Sequence, residues 1–225
     1  MPSWRQKHKK SPERPRRNKG SGRSRRGDDL AQQANEAYET GDFQEAVRLN
    51  EQAARKCRKE GANEREGQCY QRAAIVCGAH LKDFEGKIQF CVKAAQAFAK
   101  AGMYDVSGKE YEVASRVCAS NLPESRGSIT DSAQYWVKAG EAFEKAEDPD
   151  RAGNAFRAAS MHYERRLDDL PQAVEYATRA GECLMKAGLV QDAESSFGRA
   201  QAIAAEQLQD AELAARIKER RIGAC

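Results

Sequence analysis

Trp136-Val-Lys-Ala-Gly-Glu-Ala-Phe-Glu-Lys-Ala-Glu-Asp-Pro-Asp-Arg-Ala-Gly-Asn-Ala-Phe-Arg-Ala-Ala159 reads as two helices and the joint between them. Asp148-Pro149 breaks the run, and Pro149 falls in the first turn of the next helix, where a missing N–H costs nothing. Ala133 and Gly140 stand seven residues apart on the first helix, and Ala152 and Ala159 repeat that spacing on the second. Small residues at this spacing share a helix face and let two helix backbones approach closely.

The same cadence runs through the chain. Its first members are Ala46, Gly67, Lys87, Ser107, Ala133, Ala152, Ala173, Ala193 and Ala214. Seven positions later stand Ala53, Ala74, Ala94, Ala114, Gly140, Ala159, Ala180, Ala200 and Arg221. Intervals of 21, 20, 20, 26, 19, 21, 20 and 21 separate the first members, and self-similarity of this kind marks a helical repeat array. Four residues after each first member come Asn50, Gln71, Cys91, Tyr111, Val137, Phe156, Ala177, Phe197 and Lys218. In the middle repeats this site is often large and apolar, a knob for the gap beside the small pair, while polar ends suit capping repeats.

Helices are expected at about 29–40, 43–61, 63–81, 84–101, 104–119, 129–146, 149–166, 170–187, 190–207 and 209–221. The long interval coincides with residues 120–127, which read as an inserted surface loop. The chain is therefore expected to be all-α: a right-handed α-solenoid of about ten antiparallel helices over residues 28–225, preceded by a basic arm over residues 1–27. That arm holds three prolines, no apolar periodicity and one large aromatic residue, Trp4, so it is expected to be disordered.

Charge divides the same way. Residues 1–27 carry eleven Lys or Arg against Glu13, a net +10, which leaves the mildly acidic remainder at −6 out of a total of +4. Lys7, Lys9, Lys10, Arg14, Arg16, Arg17, Arg23, Arg25 and Arg26 form clusters of the kind that bind import receptors or nucleic acid without regard to sequence. The same charges suit anionic membrane headgroups. Phosphorylation at Ser11 or Ser24 would reduce them. No stretch approaches the roughly 20 apolar residues of a membrane span, and the first residues lack the apolar core of a signal peptide, so a cytoplasmic or nuclear location is expected.

No P-loop, dinucleotide fingerprint, Gly-x-Ser-x-Gly or His-Glu-x-x-His occurs, and the expectation is a non-enzyme without cofactor or metal. His162 is expected to have a structural or surface role. Cys69, Cys77 and His80, with Cys91 on the next helix, lack the tight pairs of a zinc site and are expected to pack the core. Cys225 is expected to be a plain exposed thiol.

Trp136-x2-Ala139-Gly140-x2-Phe143, with Ala152, Phe156 and Ala159, resembles the tetratricopeptide repeat, as do Ala177-x2-Ala180-Gly181-x2-Leu184 with Ala193, Phe197 and Ala200. Here the cadence marks every helix, so each helix acts in two pairs. That arrangement is similar to the soluble NSF-attachment proteins, adaptors of membrane fusion made from serial antiparallel helices, and the segment from Trp136 to Ala159 carries the likeness best. The resemblance implies a protein-binding adaptor or scaffold, with a role in vesicle trafficking and membrane fusion. It places Gln134, Val137, Glu141, Glu144 and Lys145, then Glu175, Thr178, Glu182 and Lys186, on the concave face, where a helical or peptide segment of another protein docks. The alternative is a nuclear or ribonucleoprotein-associated protein that binds nucleic acid through the basic arm.

Overall fold

The structure, a computed structural model, describes residues 21–224. These residues form ten α-helices and no strand. They are α1 (Ser21–Glu39), α2 (Phe43–Glu60), α3 (Asn63–Val76), α4 (Phe84–Lys100) and α5 (Tyr104–Asn121). Then follow α6 (Arg126–Lys145), α7 (Pro149–His162), α8 (Leu170–Lys186), α9 (Val190–Ala202) and α10 (Ala211–Ala224). Consecutive helices pack against each other along the whole series, which is an α-solenoid.

Two boundaries differ from the sequence expectation. Helix α1 starts at Ser21, well before Asp29, because arginine is a good helix former and extends a helix already nucleated downstream. Residues 1–20 of the basic arm lie outside the described residues. The loop expected at 120–127 shrinks to four residues, since α5 continues to Asn121 and α6 begins at Arg126. Ser125 and Ser128 close that start with a reciprocal capping box.

Apart from this loop between α5 and α6, the joints are of two kinds. After α1, α2, α4, α6 and α8 the chain turns tightly through a left-handed residue, Gly41, Gly61, Gly102, Glu147 or Gly188. Each joint carries the paired hydrogen bonds of a Schellman cap, such as Met103 N–H to Phe98 O at 2.9 Å and Asp148 N–H to Phe143 O at 3.0 Å. Helices α3, α7 and α9 instead widen into a π-helical turn: Cys77–Leu81, Tyr163–Leu167 and Ile203–Gln207. Each π-turn leads into Leu-x-Asp (Leu81-Lys82-Asp83, Leu167-Asp168-Asp169, Leu208-Gln209-Asp210) with the middle residue left-handed. The aspartate then caps the next helix through Gly86, Gln172 or Leu213 N–H.

The alternation makes the structural repeat a pair of helices. Ala54, Ala95, Gly140 and Gly181 fall 41, 45 and 41 residues apart on α2, α4, α6 and α8. Sixteen residues after each, on the following helix, come Tyr70, Tyr111, Phe156 and Phe197, all buried. Glycine is required where the ring presses against the backbone: a methyl group added at Gly140 would lie 2.6 Å from the Phe156 ring, and one at Gly181 2.7 Å from Phe197. A second set locks the other side of each pair, Gly67 on Phe98, Gly108 on Phe143 and Gly153 on Leu184. Burying one such ring stabilises the stack by about 1.5–3 kcal/mol.

Interactions between helices two apart define two layers. In the even-numbered layer Lys93 pairs with Glu51 at 3.2 Å, Arg179 with Glu144 at 2.7 Å and Arg220 with Glu182 at 3.6 Å. In the odd-numbered layer Gln71 donates to Glu110 at 2.6 Å, and Arg151 and Arg157 pair with Asp105 and Asp192 at 2.8 and 3.0 Å. The ion pairs among these links are partly exposed and add little energy one by one, and the buried locks carry the stack.

Gly140→Ala and Gly198→Ala should therefore move stability in opposite directions. The first crowds Phe156 and should cost about 1–3 kcal/mol. The second sits in a helix with nothing within 4 Å of the added methyl and should gain about 0.5–1 kcal/mol. Urea unfolding of both variants measures this; an equal, neutral effect would contradict the close approach.

Candidate partner-binding face

The two-helix period sorts the exposed residues of the even helices into columns. One is Arg48, Gln89, Gln134 and Glu175, all exposed. A second is Arg55, Gln96, Glu141 and Glu182, exposed except for half-buried Glu182. A third is Lys59, Lys100, Lys145 and Lys186, one exposed lysine in the last turn of α2, α4, α6 and α8. The first two columns change from basic at α2 to acidic at α8, while the third stays basic throughout. Lysine in a last turn also offsets the negative end of its helix dipole.

Seven of the nine residues expected on a docking face lie on this surface: Gln134, Glu141, Glu144, Lys145, Glu175, Glu182 and Lys186. Val137 and Thr178 do not. Val137 is 9% exposed and belongs to the core, and Thr178 is 3% exposed with its hydroxyl donating to Val174 O at 2.8 Å. Both occupy the helix stripe turned toward neighbouring helices, so a partner on the open face does not reach them. Thr178 does line a recess between α8 and α10, with Val174, Glu175, Leu213, Arg216 and Arg220.

Arg179 organises the centre of the face and was not among the expected residues. Its guanidinium lies 4.1 Å from the centre of the Phe156 ring, donates to Glu144 at 2.7 Å and approaches Glu141 at 4.0 Å. One side chain thus ties the even face to the α6–α7 lock. The Cys183 thiol donates to the other Glu144 oxygen at 3.4 Å. Burial, with the Glu144 charge beside it, pushes that thiol up to about 12. Lys145 places its ammonium 5.8 Å from the Tyr104 ring.

The remaining candidates fall elsewhere. Lys7, Lys9, Lys10, Arg14, Arg16 and Arg17 lie outside the described residues, while Arg23, Arg25 and Arg26 fall on the backbone of α1. Cys69, Cys77 and Cys91 are buried in one core cluster, and His80 stacks on Phe43 with ring centres 4.0 Å apart. Among the described residues no group of three or more His, Cys, Asp or Glu side chains could hold a metal ion. His162 is half-buried, and desolvation followed by the nearby Arg166 charge lowers its pKa. Cys225 lies outside the described residues. Among the described residues no helix is long and apolar enough to cross a membrane.

No protein-family model and no curated protein matches the chain. Similar solved structures include BtubC (BKLC) from P. vanneervenii, at 15% identity over 91% of this chain and 91% of that one, with a TM-score of 0.36. Another is a Podosopora anserina protein of kinesin light chain type with nearly identical TPR-like repeats, at 15% identity over 82% and 97% and a TM-score of 0.43. The de novo designed helical repeat protein DHR64 is similar at 22% identity over 89% and 98%, with a TM-score of 0.30.

The burial of the thiols has a direct chemical consequence. Desolvation pushes Cys57 and Cys77 up to about 11 and Cys183 up to about 12, which leaves roughly a thousandth or less as reactive thiolate at pH 8. Iodoacetamide followed by peptide mapping should label these three at least about 100-fold more slowly in the folded chain than in denaturant. Fast labelling of Cys183 under native conditions would show that the face around Glu144 is open.

Proposed function

We propose that the chain is a non-enzymatic adaptor whose even-helix face docks an extended segment of a partner protein. The observation that carries this is the column Lys59, Lys100, Lys145 and Lys186, one exposed cation per two-helix repeat. Packed helices lie about 8–10 Å apart, and one three-residue turn of an extended peptide in the polyproline II form covers that span and returns its side chains to the same face. The matching partner is a segment with carboxylates at every third residue, running across the helices. Stacked helical repeats present long surfaces of this sort, and binding proteins is their general use.

The finer assignment, an adaptor of vesicle trafficking and membrane fusion, is supported by the resemblance of residues 136–159 to the NSF-attachment proteins. The lysine column adds to it, because it offers acidic helical bundles a basic track on a body that is otherwise net negative. A second reading is favoured by the arm: ten net positive charges in 27 residues suit nucleic acid, an import receptor or an anionic membrane. Nucleic-acid binding through the arm should weaken steeply between 50 and 200 mM salt, with a slope set by the number of phosphates met.

A labelled peptide with glutamate at every third residue tests the main proposal. Full-length chain and its Lys59→Glu, Lys100→Glu, Lys145→Glu, Lys186→Glu variant both keep the basic arm, so the comparison isolates the face. Fluorescence anisotropy should show at least a tenfold loss of affinity in the variant. Equal affinity would assign the binding to the arm and remove the lysine column from the proposal.

A further inference from the structure

The even helices carry one further column. Lys93, Lys138, Arg179 and Arg220 hold the same place on α4, α6, α8 and α10, two residues before Ala95, Gly140, Gly181 and Ile222. Three of them lie over the lock ring of the odd helix between. Lys93 is 5.6 Å from the centre of the Tyr70 ring, Lys138 6.0 Å from Tyr111 and Arg179 4.1 Å from Phe156. Three of them also meet a carboxylate of the preceding even helix. Lys93 meets Glu51 at 3.2 Å, Arg179 meets Glu144 at 2.7 Å and Arg220 meets Glu182 at 3.6 Å. Lys138 is the exception: among the described residues it makes no ion pair.

The reason lies on α4. The place of Glu51 is taken there by Val92, that of Glu141 and Glu182 by Gln96, and that of Glu144 by Ala99, so none of the three carries a charge. Glu141, three residues beyond Lys138 on its own helix, is approached by Arg179 at 4.0 Å. Gln89, Gln96 and Gln134 are exposed on α4 and α6 and add no charge. The Lys138 ammonium is held near two rings, Tyr111 and, at 5.7 Å, Tyr135, and it is exposed. A cation placed by the fold where the neighbouring repeats supply an anion calls for an anion from outside the chain.

We infer that the junction between α4 and α6 is the anchor of the docking face, where a glutamate or aspartate of the partner segment pairs with Lys138 in place of the carboxylate that the chain supplies at the other junctions. This rests on the even-face reading above and sharpens it. The column of last-turn lysines draws the acidic segment to the face, and Lys138 fixes its register.

Fluorescence anisotropy with the same glutamate-repeat peptide and full-length variants tests the anchor, the basic arm being common to all. Lys138→Gln should lower the affinity at least fivefold. Lys93→Gln, an equal change of charge at a cation that already has its carboxylate, should lower it less than twofold. Gln96→Glu supplies the missing carboxylate within the chain and should also cost at least fivefold. Equal effects of Lys138→Gln and Lys93→Gln, or a Gln96→Glu chain that binds like the natural one, would overturn the anchor. If the variant with all four column lysines changed loses binding while Lys138→Gln does not, the even face still docks the segment and only the anchor falls. If the fourfold variant also binds like the natural chain, the face falls with it.

Discussion

The close approach of a backbone glycine or alanine to an aromatic ring on the next helix is the constraint on which the solenoid rests. Gly140 under Phe156 and Gly181 under Phe197 leave no room for a methyl group, and Ala54 with Tyr70 and Ala95 with Tyr111 hold the same register. Each ring is large enough to fill the gap that two small residues leave, so ring and gap specify each other. With a chain that is only 7% aromatic, few rings serve each interface, and the five largest fully buried side chains, Tyr70, Phe98, Phe143, Phe156 and Phe197, are such rings. A solenoid built this way has its stability in nearest-neighbour interfaces, so loss of one lock weakens one junction before it weakens the rest.

The locks also decide what the surface can do. Because they repeat with the helix pair, the even helices from α2 to α8 present their exposed side chains in the same order, and single residues become rows. The lysine column and the neighbouring basic-to-acidic gradient are products of that register. Arg179 joins the two levels, holding Glu144 and Glu141 on the surface while its guanidinium lies on the Phe156 ring of a lock. Removal of that arginine would leave Glu144 with the Cys183 thiol as its remaining neighbour. At the N-terminal end the regularity fails at Asn50, a buried amide whose Oδ1 has no hydrogen-bond partner.

Much of this was legible in the residues. The small pairs, the breaks at Gly61, Gly102, Asp148-Pro149 and Gly188, and the knobs Phe156 and Phe197 all mark features that the fold uses. The two-helix period was present too, in the thrice-repeated Leu-x-Asp after α3, α7 and α9, yet a cadence shared by every helix concealed it. The π-turns could not be read, because shifting a hydrogen bond from the fourth to the fifth residue leaves no mark in composition. Of the site, the charged positions were visible by periodicity. Val137 and Thr178 were misplaced because a single helix pattern does not say how far its neighbours wrap around it. Arg179 was missed because its role comes from Glu144, 35 residues earlier and on another helix of the same layer.

The most direct test of the lock is a double-mutant cycle on Gly181 and Phe197, with Gly181→Ala, Phe197→Leu and the combination compared by urea unfolding. If ring and gap specify each other, each single change destabilises, and the pair costs at least about 1 kcal/mol less than the sum because the smaller side chain makes room for the methyl. Additive costs would mean that the two residues contribute independently, and the repeat would then need another physical basis.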